Sequence, residues 1–158
     1  MINHPITVAI DAMGGDDGPS TFVKGFPVLA AKQGKANIYS SEPKGWVETE
    51  LSKHESESLP ITIVPSNGKI EDTEAPALGL RQKPKASFVV ATHLVKSGKA
   101  DAVVSMGSTG ATMASAVVLF GKTTHGIDRP AIGGPIVGSA PNQVILDLGL
   151  IWIADRSS

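Results

Sequence analysis

The sequence predicts a three-layer α/β fold with a mainly parallel sheet, and three observations support this. Short apolar runs rich in β-branched residues alternate along the chain with segments of helical spacing. The chain contains 17 glycines and 11 prolines, most of them at the ends of those runs. Its length of 158 residues is enough for one domain of ordinary size. Strand–helix alternation over this length favours helices packed on both faces of a parallel sheet.

Four segments are predicted to be strands of that sheet. The first, residues 6–10, is a nearly continuous apolar run that ends at Asp11. Such a run is typical of a strand that is buried on both faces in the centre of a parallel sheet. The other three strands are predicted at residues 36–39, 61–64 and 102–105.

Helices are predicted between and after these strands. Pro19 and Ser20 can begin the first helix, which carries its apolar face to Ala30 and is kinked or shortened by Pro27. The polar stretch 65–85 is long for a connection inside a domain, and connections of that length are usually functional or mobile. Further helical segments are predicted at residues 46–54, 75–80, 86–96 (ended by Gly98) and 109–120.

Composition excludes several classes of function. The formal net charge of −1 leaves no polycationic surface, so no nucleic-acid partner is expected. The absence of cysteine rules out disulfides, thiolate metal sites and cysteine nucleophiles. The four histidines are scattered, and neither a metal nor a cofactor is predicted. No apolar stretch approaches the about 20 residues of a membrane helix, and no secretory signal is visible, so a cytoplasmic location is expected.

Loops after the strands are the candidates for chemistry, because ligands of parallel α/β sheets bind beyond the carboxyl ends of the strands. The loop after the first strand, Asp11–Asp16, contains Gly14 and Gly15, which permit backbone conformations and close approaches that a Cβ would forbid. It is compatible with a tight turn or with a binding loop. Its spacing differs from the G-x-G-x-x-G pattern of dinucleotide sites.

The loop after the fourth strand has the composition of an anion site. Its small residues allow backbone N–H groups to converge, Ser108 and Thr109 add hydroxyl donors, and the following helix begins here. The alternative is that Ser108 or Thr109 only caps that helix. No Gly-Lys-Ser/Thr sequence ends the loop, so a P-loop nucleotidase is not predicted.

Two further segments carry positive charge. In residues 81–85, Arg81 has the geometry to bind a phosphate or carboxylate bidentately, and Lys83 adds a point charge. A solvated surface run explains this segment equally well. Residues 126–131 place Arg129 beside a rigid proline, and the alternative there is a surface loop with an ion pair of little energetic weight.

Five motifs in order cover nearly the whole chain: Ile10–Asp16, Arg81–Lys83 before Ser87, Ser105–Ala111, Gly126–Ala131 and Leu146–Gly149. Together they resemble the PlsX family of bacterial phosphate acyltransferases. The resemblance implies a three-layer α/β/α fold with a mainly parallel sheet, isocitrate dehydrogenase-like or phosphotransacetylase-like, which is truncated in this chain.

The resemblance also implies an activity. Members of the family form acyl phosphate reversibly from long-chain acyl-ACP (acyl carrier protein) and inorganic phosphate, at the start of phosphatidic acid synthesis. They are cytoplasmic homodimers that can associate peripherally with the membrane and with the downstream glycerol-3-phosphate acyltransferase. Because phosphate is already an anionic nucleophile, positioning and electrostatic stabilisation are its main requirements.

No residue is assigned a catalytic role. From residue type and loop position, the candidate phosphate- or substrate-binding residues are Asp11, Gly14, Gly15, Arg81, Lys83, Ser105, Gly107, Ser108, Thr109 and Gly110.

Three departures separate the chain from the family pattern. Met106 and Ser108 stand where the family usually has Ala and Asn, and the serine lacks the amide. Residues 40–42 read Ser-Ser-Glu where Gly-Asp is usual. Family members are much longer and continue after Leu-Asp-x-Gly with Ala-Asn-x-Asp-Cys, whereas this chain reads Leu-Ile-Trp-Ile-Ala at residues 150–154.

The tail is predicted to be out of frame. One possible coding of residues 150–154, CTA ATA TGG ATT GCC, reads Ala-Asn-Met-Asp-Cys after a one-base shift with a preceding G. We therefore expect residues 1–149 to be the N-terminal part of a phosphate acyltransferase α/β domain. Residues 150–158 are expected to be an out-of-frame or non-family tail, caused by a single-base deletion or a sequencing error. Sequencing the gene through the codon of Gly149 tests this expectation.

Two alternative functions stay open. In the first alternative, the chain is an inactive truncated fragment of that enzyme. In the second, it is an unrelated phosphate- or nucleotide-binding α/β protein.

Overall fold

A computed structural model of the protein describes residues 5–18, 25, 36–42, 45–52, 59–71, 73–121, 132–135 and 144–146. The chain divides into two compact units, Met1–Gly121 and Lys122–Ser158. The elements of the first unit are β1 (Ile6–Asp11), β2 (Ala36–Glu42), α1 (Trp46–Leu51), β3 (Ile61–Pro65), α2 (Pro76–Gln82), α3 (Ser87–Lys96), β4 (Ala102–Ser105), α4 (Thr109–Ser115) and a π-helical segment (Ala116–Phe120).

The first unit is built on a parallel four-stranded sheet in the order β3-β2-β1-β4. The predicted α/β fold with a parallel sheet is confirmed, and β1 is an interior strand as expected. Chain order reverses at β1, because β2 and β3 extend the sheet on one side of it and β4 on the other. The register places Asp11 beside Ser41 and Ser105 at the carboxyl end. Such a reversal leaves a crevice beyond the carboxyl ends of the two strands that flank it.

Helix α3 packs on one face of this sheet. Ala9 of β1 and Ala91 of α3 are both fully buried, and Leu94 and Ala100 complete their cluster. Side chains alternate along a strand, so this face also carries Asp11, at the carboxyl end of β1. The packing of α3 therefore brings the first turn of the helix to the ligand end of the sheet.

The opposite face of the sheet carries a second apolar cluster. Ile10 and Ile38 are buried there, and Val8, Ile61 and Ile63 pack against them. The apolar run 6–10 is thus divided between the two faces. This division explains why a central strand of a parallel sheet has nearly continuous apolar sequence and no polar alternation.

A third cluster lies among α2, α3 and α4. Ile70, from the connection after β3, is buried together with Leu80, Phe88, Val89 and Ala111. The long polar connection 65–85 is therefore anchored in the core at Ile70, and α2 occupies its second half.

The described helices lie near their predicted positions: α2 spans residues 76–82 where 75–80 was predicted, and the segment at 109–120 differs in type. The segment 109–120 is α-helical only to Ser115 and continues as the π-helical segment, in which Val117, Val118 and Phe120 are exposed. Two adjacent β-branched valines restrict side-chain freedom in an α-helical turn, and π-helical turns occur mostly as such short interruptions. Gly98 ends α3 with a φ of 71°, as predicted.

In the second unit, β5 (Gly133–Pro135) and β6 (Val144–Leu146) pair antiparallel. Several predictions lie outside the described residues: the helix at 19–30 apart from Gly25, the end of the helix at 46–54, the motif at 126–131, residues 147–149 and the tail at 150–158. Across the ranges that are described, no helix is long and apolar enough to cross a membrane.

Candidate functional site

An open cleft lies at the carboxyl ends of β1 and β4, where chain order reverses. Its empty volume, which includes space open to solvent, is about 410 Å³. The lining consists of Asp11, Gly14, Gly15 and Asp16 after β1, Lys69, Ile70 and Glu71 after β3, Phe88 on α3, and Ser105, Gly107, Ser108 and Ala111 after β4. The two glycine-containing loops thus meet at one site.

The buried carboxylate of Asp11 organises one wall of the cleft. Its Oδ2 accepts a hydrogen bond from the Ser105 hydroxyl at 2.7 Å. Its Oδ1 accepts from the Ser87 hydroxyl at 2.5 Å and from the Met13 N–H at 3.2 Å. A carboxylate removed from water requires such donors. Asp11 therefore joins the loop after β1 to β4 and to the first turn of α3.

Two serine hydroxyls extend this network. Ser105 accepts a hydrogen bond from the Gly107 N–H at 3.0 Å while it donates to Asp11. Ser87, which is fully buried, lies 2.6 Å from the Ser41 carbonyl oxygen as well as against Asp11, so its single proton is shared between two acceptors. The network orients the peptide of Gly107, whose N–H points to Ser105 and is not directed at a ligand.

Gly14 and Gly15 are needed for different reasons. A Cβ on Gly14 would lie 2.8 Å from Asp11 Oδ2 and 2.8 Å from the Gly107 nitrogen. Gly15 has a φ of 82°, a left-handed conformation that favours glycine. The first glycine lets the loop after β1 lie directly on the loop after β4, and the second lets the chain turn away.

The remaining predicted residues of the loop after β4 are divided between the cleft and the helix packing. Ser108 lines the cleft, and its Oγ accepts a hydrogen bond from the Ala111 N–H at 3.3 Å. Ser108 therefore caps α4, as one of the two interpretations of the sequence predicted. Its hydroxyl group can still donate a hydrogen bond to a ligand in the cleft. Thr109 is exposed and does not line the cleft. Gly110 faces α2, where a Cβ would lie 2.8 Å from Pro76 Cγ.

The two predicted cations, Arg81 and Lys83, do not line the cleft. Arg81 is exposed in the last turn of α2. Lys83 forms an ion pair with Glu74 and donates to the Lys69 carbonyl oxygen at 3.2 Å. The ammonium group of Lys83 therefore holds two parts of the connection after β3 together, at Lys69 and at Glu74.

Sequence reasoning did not assign Ser87 or Lys69 to the site. A serine that begins a helix is usually a capping residue, and a lysine in a polar stretch is usually solvated. No local pattern indicates that Ser87 contacts Asp11, which lies 76 residues earlier. Only the packing of α3 and of the connection after β3 brings these residues to the cleft.

Charged side chains at the cleft have both signs. Lys69 lines it together with Asp11, Asp16 and Glu71. The Lys69 Nζ lies 3.6 Å from Glu71 Oε2, and both side chains are partly exposed. In the part of the chain that the structure describes, no group of three or more acidic or histidine side chains is placed to hold a metal ion.

Residues 6–151 match the model of a family described as fatty acid synthesis protein. The chain belongs to this family. Similar members are the phosphate acyltransferases of Acaryochloris marina, 44% identical over 144 residues, and of Trichodesmium erythraeum, 42% identical over 147 residues. These alignments cover 90% and 92% of this chain but only 41% and 42% of the relatives. The chain thus spans about two fifths of the length of these relatives.

The family match confirms the resemblance that the five motifs indicated. Every residue that lines the cleft lies inside the range that the family model matches. The relatives are acyltransferases by name, and the phosphate acyltransferase of Pelotomaculum thermopropionicum is also 44% identical, over 142 residues. The cleft is therefore part of the region that the family shares.

Proposed function

We propose that the cleft binds phosphate and the thioester end of an acyl donor, as part of an enzyme that forms acyl phosphate from acyl-ACP and inorganic phosphate. The observation that carries the proposal is the meeting of the loops after β1 and β4 on the buried Asp11 carboxylate. These loops occupy the position where ligands of open α/β sheets bind. Both lie in the range matched by a family whose relatives are named phosphate acyltransferase.

The reaction requires two kinds of stabilisation. A phosphate oxygen attacks the thioester carbonyl carbon, a C–O bond forms, and the C–S bond breaks to release the carrier thiolate, which takes a proton from water. The phosphate must be held near the carbonyl group, and the oxyanion of the tetrahedral intermediate must be stabilised. In this proposal, donors at fixed positions on the cleft surface, among them the Ser108 hydroxyl, supply part of this stabilisation.

The residues of the cleft divide into contacts and supports in this proposal. Ser108 offers a hydroxyl donor at the cleft surface. Gly14 and Gly15 let the loop after β1 lie close to the loop after β4, so that a small ligand can contact both loops. Asp11 acts through Ser105, which it holds in place, and is a positioning residue. Its carboxylate is engaged by three donors and is not free to act as a nucleophile.

The assay that tests this function is acyl phosphate formation from palmitoyl-ACP and inorganic phosphate, with the product trapped as a hydroxamate. It is run on this chain and on a frame-restored version in which residues 150–158 are replaced by the shifted reading and its continuation. Product from the restored protein supports the proposal. If the restored protein folds but makes no acyl phosphate, the proposal is wrong.

A second candidate, an inactive fragment, is favoured by the exposed surface at β4. This strand is one of the two outer strands of the four-stranded sheet, Val104 is 48% exposed, and Met106, just after the strand, is 67% exposed. Exposed apolar side chains beside an open strand edge promote association. A soluble aggregate in size-exclusion chromatography, with no thermal shift on addition of phosphate, would favour the fragment.

The assembly and location of the enzyme belong to the same proposal. We propose a cytoplasmic homodimer at full length that associates peripherally with the membrane and with the glycerol-3-phosphate acyltransferase. We also retain the proposal that residues 150–158 are an out-of-frame tail.

A further inference from the structure

We propose that Lys69 is the side chain that binds the anionic substrate in the cleft, and that Glu71 competes with the substrate for it. This inference rests on the proposed function, in which inorganic phosphate occupies the cleft. It replaces the cations expected from the sequence, Arg81 and Lys83, with a residue from the connection after β3.

The first argument is position. Of the lysines and arginines in the described ranges, Lys69 alone lines the cleft. The other charged groups there are the carboxylates of Asp11, Asp16 and Glu71. Without Lys69 the charged side chains around the cleft would all be negative and would repel a phosphate. A lysine ammonium is a point charge that phosphate binds readily in any orientation.

The second argument is the attachment of the segment that carries Lys69. Four successive residues are fastened: the Asn67 N–H donates to the Lys85 carbonyl at 2.7 Å, the Gly68 carbonyl accepts from the Ser87 N–H at 3.0 Å, and the Lys69 carbonyl accepts from Lys83. Ile70 follows and is buried at 7% exposure. Because its backbone is held on both sides, Lys69 is preorganised at the cleft, and binding need not order a mobile loop.

The Lys83–Glu74 pair supports the same segment. Lys83 reaches the Lys69 carbonyl oxygen while it is paired with Glu74 on the connection itself. A lysine that looked like a ligand contact in the sequence thus holds the backbone of the lysine that lines the cleft.

The third argument is that the ion pair between Lys69 and Glu71 is weak. Its Nζ lies 3.6 Å from Glu71 Oε2, and the two side chains are 37% and 52% exposed. Exposed pairs at this separation contribute little free energy. An anion that also receives a hydrogen bond from the Ser108 hydroxyl can therefore displace Glu71.

The test is a phosphate titration of the 158-residue chain by isothermal calorimetry at low ionic strength, with Ser108 and Gly15 amide shifts as a second readout. Lys69→Gln should weaken phosphate binding about tenfold, the effect of losing one charge-assisted hydrogen bond. Glu71→Gln should tighten it about two- to fivefold, because it removes a weak competitor. Lys69→Arg should retain most of the binding.

The matched control is Lys99→Gln. Lys99 is exposed, carries the same charge and precedes β4, at the end of the sheet opposite the cleft. Its substitution changes the net charge by the same amount as Lys69→Gln and should leave the phosphate affinity unchanged. Circular dichroism of each variant establishes that it is folded.

The outcomes separate the inference from the proposed function. If the parent chain binds phosphate and Lys69→Gln binds equally well, the assignment of Lys69 is wrong while the phosphate site stands. If Glu71→Gln binds no more tightly, the competition is wrong. If the parent chain binds no phosphate at all, the phosphate site and the role of Lys69 are both refuted for this chain.

Discussion

Replacement of Gly14 by alanine should destabilise the protein through a collision at the candidate site. The added methyl carbon would lie 2.8 Å from the Gly107 nitrogen, 2.8 Å from Asp11 Oδ2 and 3.0 Å from Ser105 Oγ. Gly14 is not among the glycines with positive φ, so alanine introduces no backbone strain of its own. Because the Gly107 nitrogen is a backbone atom and cannot rotate aside as a side chain can, the loop after β1 must move away from the loop after β4.

The expected size follows from two contributions. Overpacking of a close contact costs about 1–3 kcal/mol, and weakening a hydrogen bond to a charged group adds about 1.5–3 kcal/mol when that bond is lost. Partial relaxation leaves a loss of about 2–4 kcal/mol in the free energy of unfolding. For a chain of this size, that corresponds to a fall in Tm of about 5–15 °C.

The assay is urea unfolding followed by circular dichroism, with Gly98→Ala as the matched control. Gly98 has a φ of 71°, but a Cβ there would have no neighbour within 4 Å. Its replacement should cost about 1 kcal/mol from backbone strain alone. If Gly14→Ala costs no more than Gly98→Ala, the two loops are not in the close contact described here and the argument fails.

Two serine substitutions test the network and the helix cap. Ser87→Ala removes a hydrogen-bond donor from buried Asp11 and should lower the free energy of unfolding in urea by about 1–3 kcal/mol. The control Ser52→Ala, at an exposed hydroxyl, should change it by no more than about 0.5 kcal/mol. Equal effects of the two substitutions would show that Ser87 has no special role. Ser108→Ala should cost about 1 kcal/mol by loss of the cap, and Ser108→Asp should keep that stability. Ser108→Asp should nevertheless lose phosphate binding in calorimetry, because its carboxylate repels the anion, and unchanged affinity would remove Ser108 from the proposed site.

The positions of the elements could be predicted from the sequence because they depend on local patterns. The apolar run of β1, the helical spacing of α3 and the stop at Gly98 each reflect interactions within a few residues of the chain. The glycine loops were also predictable, since paired glycines after a strand mark a backbone that turns sharply or meets another one. The ordered motifs were enough to indicate the family.

The cations predicted for the site differ from the cation that lines the cleft in the structure. The sequence predicts anion binding by Arg81 and Lys83 from their charge and chemistry, yet Lys83 pairs with Glu74 and Arg81 is exposed in the last turn of α2. A basic segment shows how many charges are present but not which way each side chain points, because helix packing decides its direction.

The sequence alone determined the α/β class, the places where β1 and β4 end, and the two glycine loops that follow these strands. Tertiary structure alone decided that those loops meet, because the strand order β3-β2-β1-β4 sets Asp11 beside Ser105, 94 residues later. It also decided that Ser87 supports Asp11 and that Lys69 faces the cleft. The physical reason is that hydrophobic periodicity is a local property, whereas strand pairing and the burial of Ile70 depend on surfaces that exist only in the folded chain.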